Sequence, residues 1–156
     1  VLHHTKDPYG AFEILIQSLK KNGYVLIGLY NKYGRIRTLI RKYFYKIFGK
    51  KLLSIIDPTL RNLKLDENEQ TAWIRDQYTH PIESLHSIDE VLKWFKEHNI
   101  DFVSSIPSSD FDYDYNNIFL KKNSGTFFSR MFNQILMVFN RLGSDGGLFV
   151  VIGKKH

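Results

Sequence analysis

Residues 7–29 read DPYGAFEILIQSLKKNGYVLIGL, and this stretch decides the fold class. Asp7 followed by Pro8 is a helix start, with a side-chain acceptor at the N-cap and proline at the first helical position. Phe12, Leu15, Ile16 and Leu19 then recur at helical spacing and predict one apolar face. Lys20-Lys21-Asn22-Gly23 closes the helix, with cations near its negative end and Gly23 expected to take the left-handed cap. Tyr24 to Leu29 is a nearly continuous apolar run, the signature of a strand buried on both faces. With Val1-Leu2-His3-His4-Thr5 ahead of it, residues 1–30 read as strand end, helix, strand.

The alternation continues outward. Ile36, Leu39, Ile40, Tyr43, Phe44 and Ile47 hold a helical period over about Arg35 to Phe48, and Gly49 ends it. Residues 50–86 are less regular, interrupted by Pro58 and Pro81, with an acidic turn or helix start at Asp66-Glu67-Asn68-Glu69; they read as an insert or lid. Ser87-Ile88-Asp89-Glu90 is a capping box opening a helix whose face carries Ile88, Val91, Leu92 and Phe95. Ile100–Ile106 reads as a strand stopped by Pro107, and residues 107–126 as an ordered loop. A last helix, about Phe127 to Leu142, is expected to bury Phe128, Met131, Phe132, Ile135, Leu136 and Phe139. Gly143–Gly147 turns the chain into a final strand, Leu148–Ile152. Strands alternating with helices predict an α/β fold.

Composition narrows the chemistry. The chain has 156 residues, room for a compact core. It has no cysteine, which excludes disulfides, thiolate metal sites and cysteine nucleophiles and fits a reducing compartment, so the cytoplasm is the expected location. No apolar run approaches the roughly 20 residues needed to span a bilayer. The net charge is +6, concentrated visibly at Arg35, Arg37, Arg41, Lys42, Lys46, Lys50 and Lys51, a stretch interleaved with Tyr43 and Tyr45. It is either the solvated side of an amphipathic helix or an approach to phosphate or a lipid surface.

Two landmarks carry a family resemblance. Val1-Leu2-His3-His4, followed by Asp7-Pro8 and a helix, resembles the end of the fourth strand in class I S-adenosylmethionine-dependent methyltransferases. Leu19-Lys20-Lys21-Asn22-Gly23-Tyr24-Val25-Leu26-Ile27 resembles the family's LKPGGxLxI stretch leading into the fifth strand, with Lys21-Asn22 standing in for Pro-Gly. The spacing between the two matches. Ile100–Ile106 and Leu148–Ile152 then look like strands six and seven, which pair antiparallel at the sheet edge. The resemblance implies a partial Rossmann-like methyltransferase sheet, from the end of strand four to strand seven, with helices on both faces and the 50–86 insert. Residues 1–156 are read as the C-terminal part of one such domain. The family's glycine-rich cofactor loop and the acidic ribose ligand are expected ahead of residue 1. The chain by itself is therefore expected to bind S-adenosylmethionine weakly or not at all.

The site residues follow from that likeness. Ligands in open α/β sheets bind beyond the carboxyl ends of the strands. Val1, Leu2 and His3 are expected to line the cofactor and His4 to face the acceptor as base or positioning donor. The alternative is a pair of loop histidines bonded to neighbouring backbone. Tyr30 and Asn31, at the end of the next strand, are candidates to orient an acceptor, or else cover the core and accept a turn. Inserts after strand five often roof the acceptor site in this family, which makes Tyr78, His80 and His86 candidates for substrate contact. Asp110, Asp112, Asp114 and Asn116 imitate the start of a calcium loop, but Tyr115 and Lys121 stand where glycine and glutamate are needed.

The expected function is methyl transfer to a small-molecule acceptor. Competing readings are a non-catalytic α/β interaction module and a methyltransferase acting on RNA or a lipid-linked acceptor. Self-association of an incomplete sheet is also expected.

Overall fold

The structure is a computed structural model that describes residues 2–79, 82–139 and 147–156. It divides into two compact units, residues 1–35 with 82–156, and residues 36–81. The second unit thus starts well before the insert expected at 50–86.

The first unit is α/β, built on a four-stranded mixed sheet in the order β2-β1-β4-β3. Its elements are a 3-10 turn Leu2–His4, α1 Pro8–Ser18, β1 Tyr24–Asn31, β2 Leu85–His86, α5 Ile88–Glu97, β3 Ile100–Ile106, α6 Phe127–Leu136 and β4 Leu148–Lys155. Strand β2 runs parallel to β1, while β4 runs antiparallel to both β1 and β3. Leu2–His4 was expected as a strand end; it is a turn instead, and the short β2 lies beside β1. Val1 lies outside the described residues.

Local chemistry explains the helix starts. Asp7 accepts the Gly10 N–H at 2.9 Å with Pro8 at the first position of α1. Ser87 and Glu90 close a reciprocal capping box on α5. At the end of α1 the left-handed residue is Asn22, φ 62°, and not Gly23. Asparagine tolerates that region. Gly23 is needed for a different reason, since a Cβ there would sit 2.8 Å from the Lys20 carbonyl oxygen.

The core lies on one face of the sheet. Phe12 and Ile16 of α1 and Ile88, Val91 and Phe95 of α5 pack with Val25, Ile27 and Leu29 of β1 and Phe149 and Val151 of β4. The expectation that β1 is buried on both faces fails in its first half. Tyr24 and Leu26 are exposed, and Tyr24 meets Phe119 of the 107–126 loop edge-on. Successive strand residues point to opposite faces, and α1 and α5 cover one of them.

The 107–126 loop is ordered by its own bonds. Lys122 N–H donates to Val103 at 2.7 Å, Ser109 Oγ to the Asn123 carbonyl at 2.9 Å, and Tyr113 Oη to Asn133 at 2.6 Å. Where the aspartates imitate a calcium loop, the Lys122 ammonium lies 3.3 Å from Asp112. No cluster of metal-ligating side chains exists among the described residues.

Helix α6 turns partly away from its expected orientation, with Met131 and Leu136 only half-buried. Ser129, Asn133 and Gln134 are buried, while Phe128, Phe132 and Ile135 are exposed, as is Phe139 just beyond the helix. Polar bonds decide this. Gln134 Oε1 accepts from the Asn31 amide at 2.7 Å and from the Ile88 N–H at 2.9 Å, and Arg130 pairs with Asp89 at 2.7 Å. Residues 140–142, the expected end of this helix, and 143–146 of the glycine turn lie outside the described residues.

The second unit is helical: α2 Ile36–Ile56, α3 Pro58–Asn62, α4 Glu67–Ile74 and a π-helical turn Arg75–Thr79. The expected stop at Gly49 is a break inside α2, with φ 69°. Leu53, Ile74 and Tyr78 form its core, flanked by Tyr45, Ile56, Leu60 and Trp73. Asp57 ties the pieces together. One carboxylate oxygen caps α3 through the Thr59 and Leu60 N–H groups at 2.7 and 3.1 Å. The other accepts from Trp73 Nε1 at 3.3 Å and from the Tyr78 hydroxyl. The Asp66–Glu69 capping box opens α4. Among the described residues no helix is long and apolar enough to cross a membrane.

Candidate functional site

The carboxyl ends of the parallel pair β1 and β2 carry a cluster of polar and aromatic side chains in the first unit. Register places Tyr30 opposite Leu85 and Asn31 opposite His86. The Leu2–His4 turn is pinned beside them, because Ser84 N–H donates to the His3 carbonyl at 2.9 Å. Three rings gather there. The centroids of His3 and Tyr30 are 4.1 Å apart, those of His3 and His4 4.2 Å, and those of His4 and Tyr30 6.0 Å.

Arg35 completes the cluster, and its position corrects the sequence reading. It was grouped with the solvated cations of α2, yet its side chain is wholly buried. Its Nε and second guanidinium nitrogen donate to the two Glu83 oxygens at 2.8 and 3.2 Å, a bidentate pair. The guanidinium carbon also lies 3.8 Å from the Tyr30 ring centre. A buried arginine with its carboxylate supplied fixes the ring it stacks on. Sequence offered a faint clue only. Arg35 follows Gly34 immediately before the first apolar position of α2, and Glu83 sits among the histidines of the 78–86 stretch. The close approach of Gly147 to the Gly34–Arg35 backbone supports this corner, since a Cβ on Gly147 would stand 2.6 Å from the Gly34 carbonyl carbon.

The two histidines differ. His3 is buried, and burial above all pushes its imidazole down to about 4, so it is neutral near pH 7. Its Nδ1 is a buried nitrogen without a hydrogen-bond partner. Leaving such a buried nitrogen unmatched is costly. His4 is half-buried, with Nδ1 3.1 Å from the Ile82 carbonyl. A carbonyl only accepts, so Nδ1 carries the hydrogen and, in the neutral ring, Nε2 carries the lone pair.

Asn31 is held by structure. Its Oδ1 accepts from the Tyr33 and Gly34 N–H groups at 2.9 and 3.0 Å, and its amide donates to Gln134. That arrangement is the turn-accepting alternative. His86 lies near the cluster through Ser84, whose Oγ is 2.8 Å from its Nε2. Burial lowers its pKa, and its ring meets Trp94 edge-on at 5.4 Å.

The 78–86 stretch is divided between the two units. Tyr78 belongs to the other compact unit, in its core, where burial and the Asp57 hydrogen bond raise its pKa. Glu83 and His86 belong to the first unit. His80 lies outside the described residues.

Comparison with protein-family models gives no match for this chain, and comparison with curated proteins gives none.

Proposed function

We propose that this chain forms the acceptor side of an S-adenosylmethionine-dependent methyltransferase acting on a small molecule. The observation that carries the reading is the convergence of His3, His4 and Tyr30 at the carboxyl ends of β1 and β2, where ligands of open α/β sheets bind. The sheet order supports it too. An antiparallel β4 between β1 and β3 agrees with the strand five, seven and six arrangement of a Rossmann-like methyltransferase sheet.

The residues present fit one wall of a cofactor site and not a whole one. No described segment has the strand, glycine-rich turn and helix that would cradle the methionine and ribose. The cofactor, when bound, supplies a methyl group on a sulfonium, already activated for displacement. What remains for this chain is alignment, exclusion of water and, for a protonated acceptor, removal of a proton. His4 is suited to the last task, since the Ile82 carbonyl holds its hydrogen on Nδ1 and turns the Nε2 lone pair to use. Tyr30, braced by Arg35, orients the acceptor beside it.

Two measurements on the protein as its gene encodes it test this. Calorimetric titration with S-adenosylmethionine is expected to give micromolar binding, weakened by His3→Ala and little changed by His4→Ala. Absence of binding leaves a non-catalytic α/β module as the better reading. Incubation with methyl-labelled cofactor and cell extract is expected to label the small-molecule fraction, with label lost in His4→Ala. Label in RNA or in lipid-linked material would move the acceptor to those classes.

A further inference from the structure

The chain's charge excess sits in one element. Helix α2 holds Arg37, Arg41, Lys42, Lys46, Lys50 and Lys51 and no acidic residue, while the rest of the chain has as many anions as cations. Before the break at Gly49, Ile36, Ile40, Tyr43 and Ile47 fall along one line of the helix at about 100° per residue. All four are exposed, Tyr43 by 63% and Ile47 by 53%. Leu39 and Phe44 widen the stripe, and both are exposed as well. Cations flank it on both sides, Lys42 and Lys46 along one edge and Arg37 and Arg41 along the other, where the half-buried Arg41 also reaches the Tyr78 hydroxyl. Thr38 is on the buried side. The bend at Gly49 brings Leu52 and Ile56 near Ile40 and Phe44, and with Arg37 and Arg41 they line an open cavity of about 450 Å³.

We infer that α2 docks the protein onto an anionic lipid surface, lying flat with the Ile36–Ile47 stripe in the acyl boundary and both rows of cations at the headgroups. Charge complementarity selects this occupant. An apolar stripe between two rows of cations matches the layering of an anionic bilayer surface, acyl chains below and phosphates on either side. A second copy of this face would set its four flanking cations against four with no acid to offset them. RNA would use the cations but leave exposed isoleucines in contact with phosphate and water. The aromatic rings also crowd one another, with Tyr43–Phe44 and Phe44–Phe48 centroids each 6.2 Å apart, rather than standing apart as base platforms. The cavity beside Phe44 gives an acyl chain room between the two segments of α2.

Co-sedimentation of the whole chain with vesicles is the test. Vesicles of phosphatidylcholine carrying about a third phosphatidylglycerol are expected to pull the protein down, pure phosphatidylcholine vesicles at least tenfold less, and rising salt to release it. Lys42→Gln with Lys46→Gln is expected to weaken binding roughly fivefold per lysine. Ile40→Ser with Ile47→Ser is expected to weaken it tenfold or more. Urea melts of each variant check that the fold survives, and Tyr43→Ser, the most exposed member of the stripe, serves as a second apolar variant. Failure to sediment with the anionic vesicles overturns the inference, and so does equal binding to both vesicle types. Loss on removing the lysines with no loss in either apolar variant also overturns it, pointing to a polyanion such as RNA. Cofactor binding is not an input here, so either outcome leaves the methyl-transfer reading where it stands.

Discussion

Helices α5 and α2 repeat apolar residues at the same helical spacing and place them in opposite settings. In α5, Ile88, Val91 and Phe95 are at most 1% exposed, packed on β1 and β4. In α2 the corresponding line of Ile36, Ile40, Tyr43 and Ile47 faces outward. The polar residues around the two stripes differ as well. Those of α5 mix signs, Asp89 and Glu90 at the start with Lys93 and Glu97 paired at 3.9 Å. Those of α2 are all cationic. Periodicity identifies an apolar face; the charges bordering it indicate what that face is for. A mixed border suits water around a helix that is docked on its own sheet, while a single-sign border suits an oppositely charged surface.

The boundary between the two settings falls between Arg35 and Ile36, and Arg35 gives the largest expected effect. Glu83→Ala should take the paired carboxylate from the buried guanidinium and cost about 3–5 kcal/mol. Lys46→Ala, exposed on α2, should change stability by about 0.5 kcal/mol or less. Urea denaturation of both variants reads the contrast directly. A small cost for Glu83→Ala would mean that Arg35 belongs with the surface cations after all.

Next in size is the stripe of α5. Phe95→Ala removes a ring that is 1% exposed and should cost about 3–5 kcal/mol. The opposite manipulation, Gly153→Ala, adds a methyl 2.5 Å from both the Phe95 ring and Ile100 and should cost about 1–3 kcal/mol through overpacking. If Gly153→Ala melts like the parent protein, the packing of α5 on β4 is looser than these distances state.

Burial also leaves a pH signature in the covered region. The His3 imidazole is held at about 4 in the folded chain against 6.5 for an ordinary histidine. The unfolded chain therefore takes up the proton first. Stability from this group is complete above about pH 6.5 and is lost as pH falls toward 4. The loss amounts to at most about 3 kcal/mol. His86, also lowered by burial, acts in the same direction. In His3→Gln the urea midpoint should fall less between about pH 7 and about pH 4.5 than in the parent. Parallel profiles would show that His3 titrates as an exposed ring.

Much of this was legible in the sequence, and the reasons for the rest are physical. Asp7-Pro8, Ser87 with Glu90, and the Tyr24–Leu29 run announce α1, α5 and β1 because caps and strand apolarity act over a few neighbouring residues. The orientation of α6 was not legible. Its apolar residues outnumber its polar ones, yet Gln134 is buried because Asn31 and Ile88, far away in the chain, need an acceptor there. The same holds at the site. His3, His4 and Tyr30 were picked out from local pattern, while Arg35 and Glu83, 48 residues apart, show their pairing only in three dimensions.

The smallest expected effect sharpens the comparison most. Ile40→Ser removes an aliphatic side chain that is half exposed, 51%, so the folded chain in water has little to lose. Stability should move by about 0.5 kcal/mol or less, against several for Phe95→Ala at the matching point of the other stripe. A near-neutral result means that the apolar character of α2 is not maintained by the folding of its own unit, and that its use lies in what it meets outside. A cost of about 2 kcal/mol or more would instead make Ile40 an interior residue. In that case the outward stripe of α2 would be part of a core, and its cations would border a protein interior like those of α5.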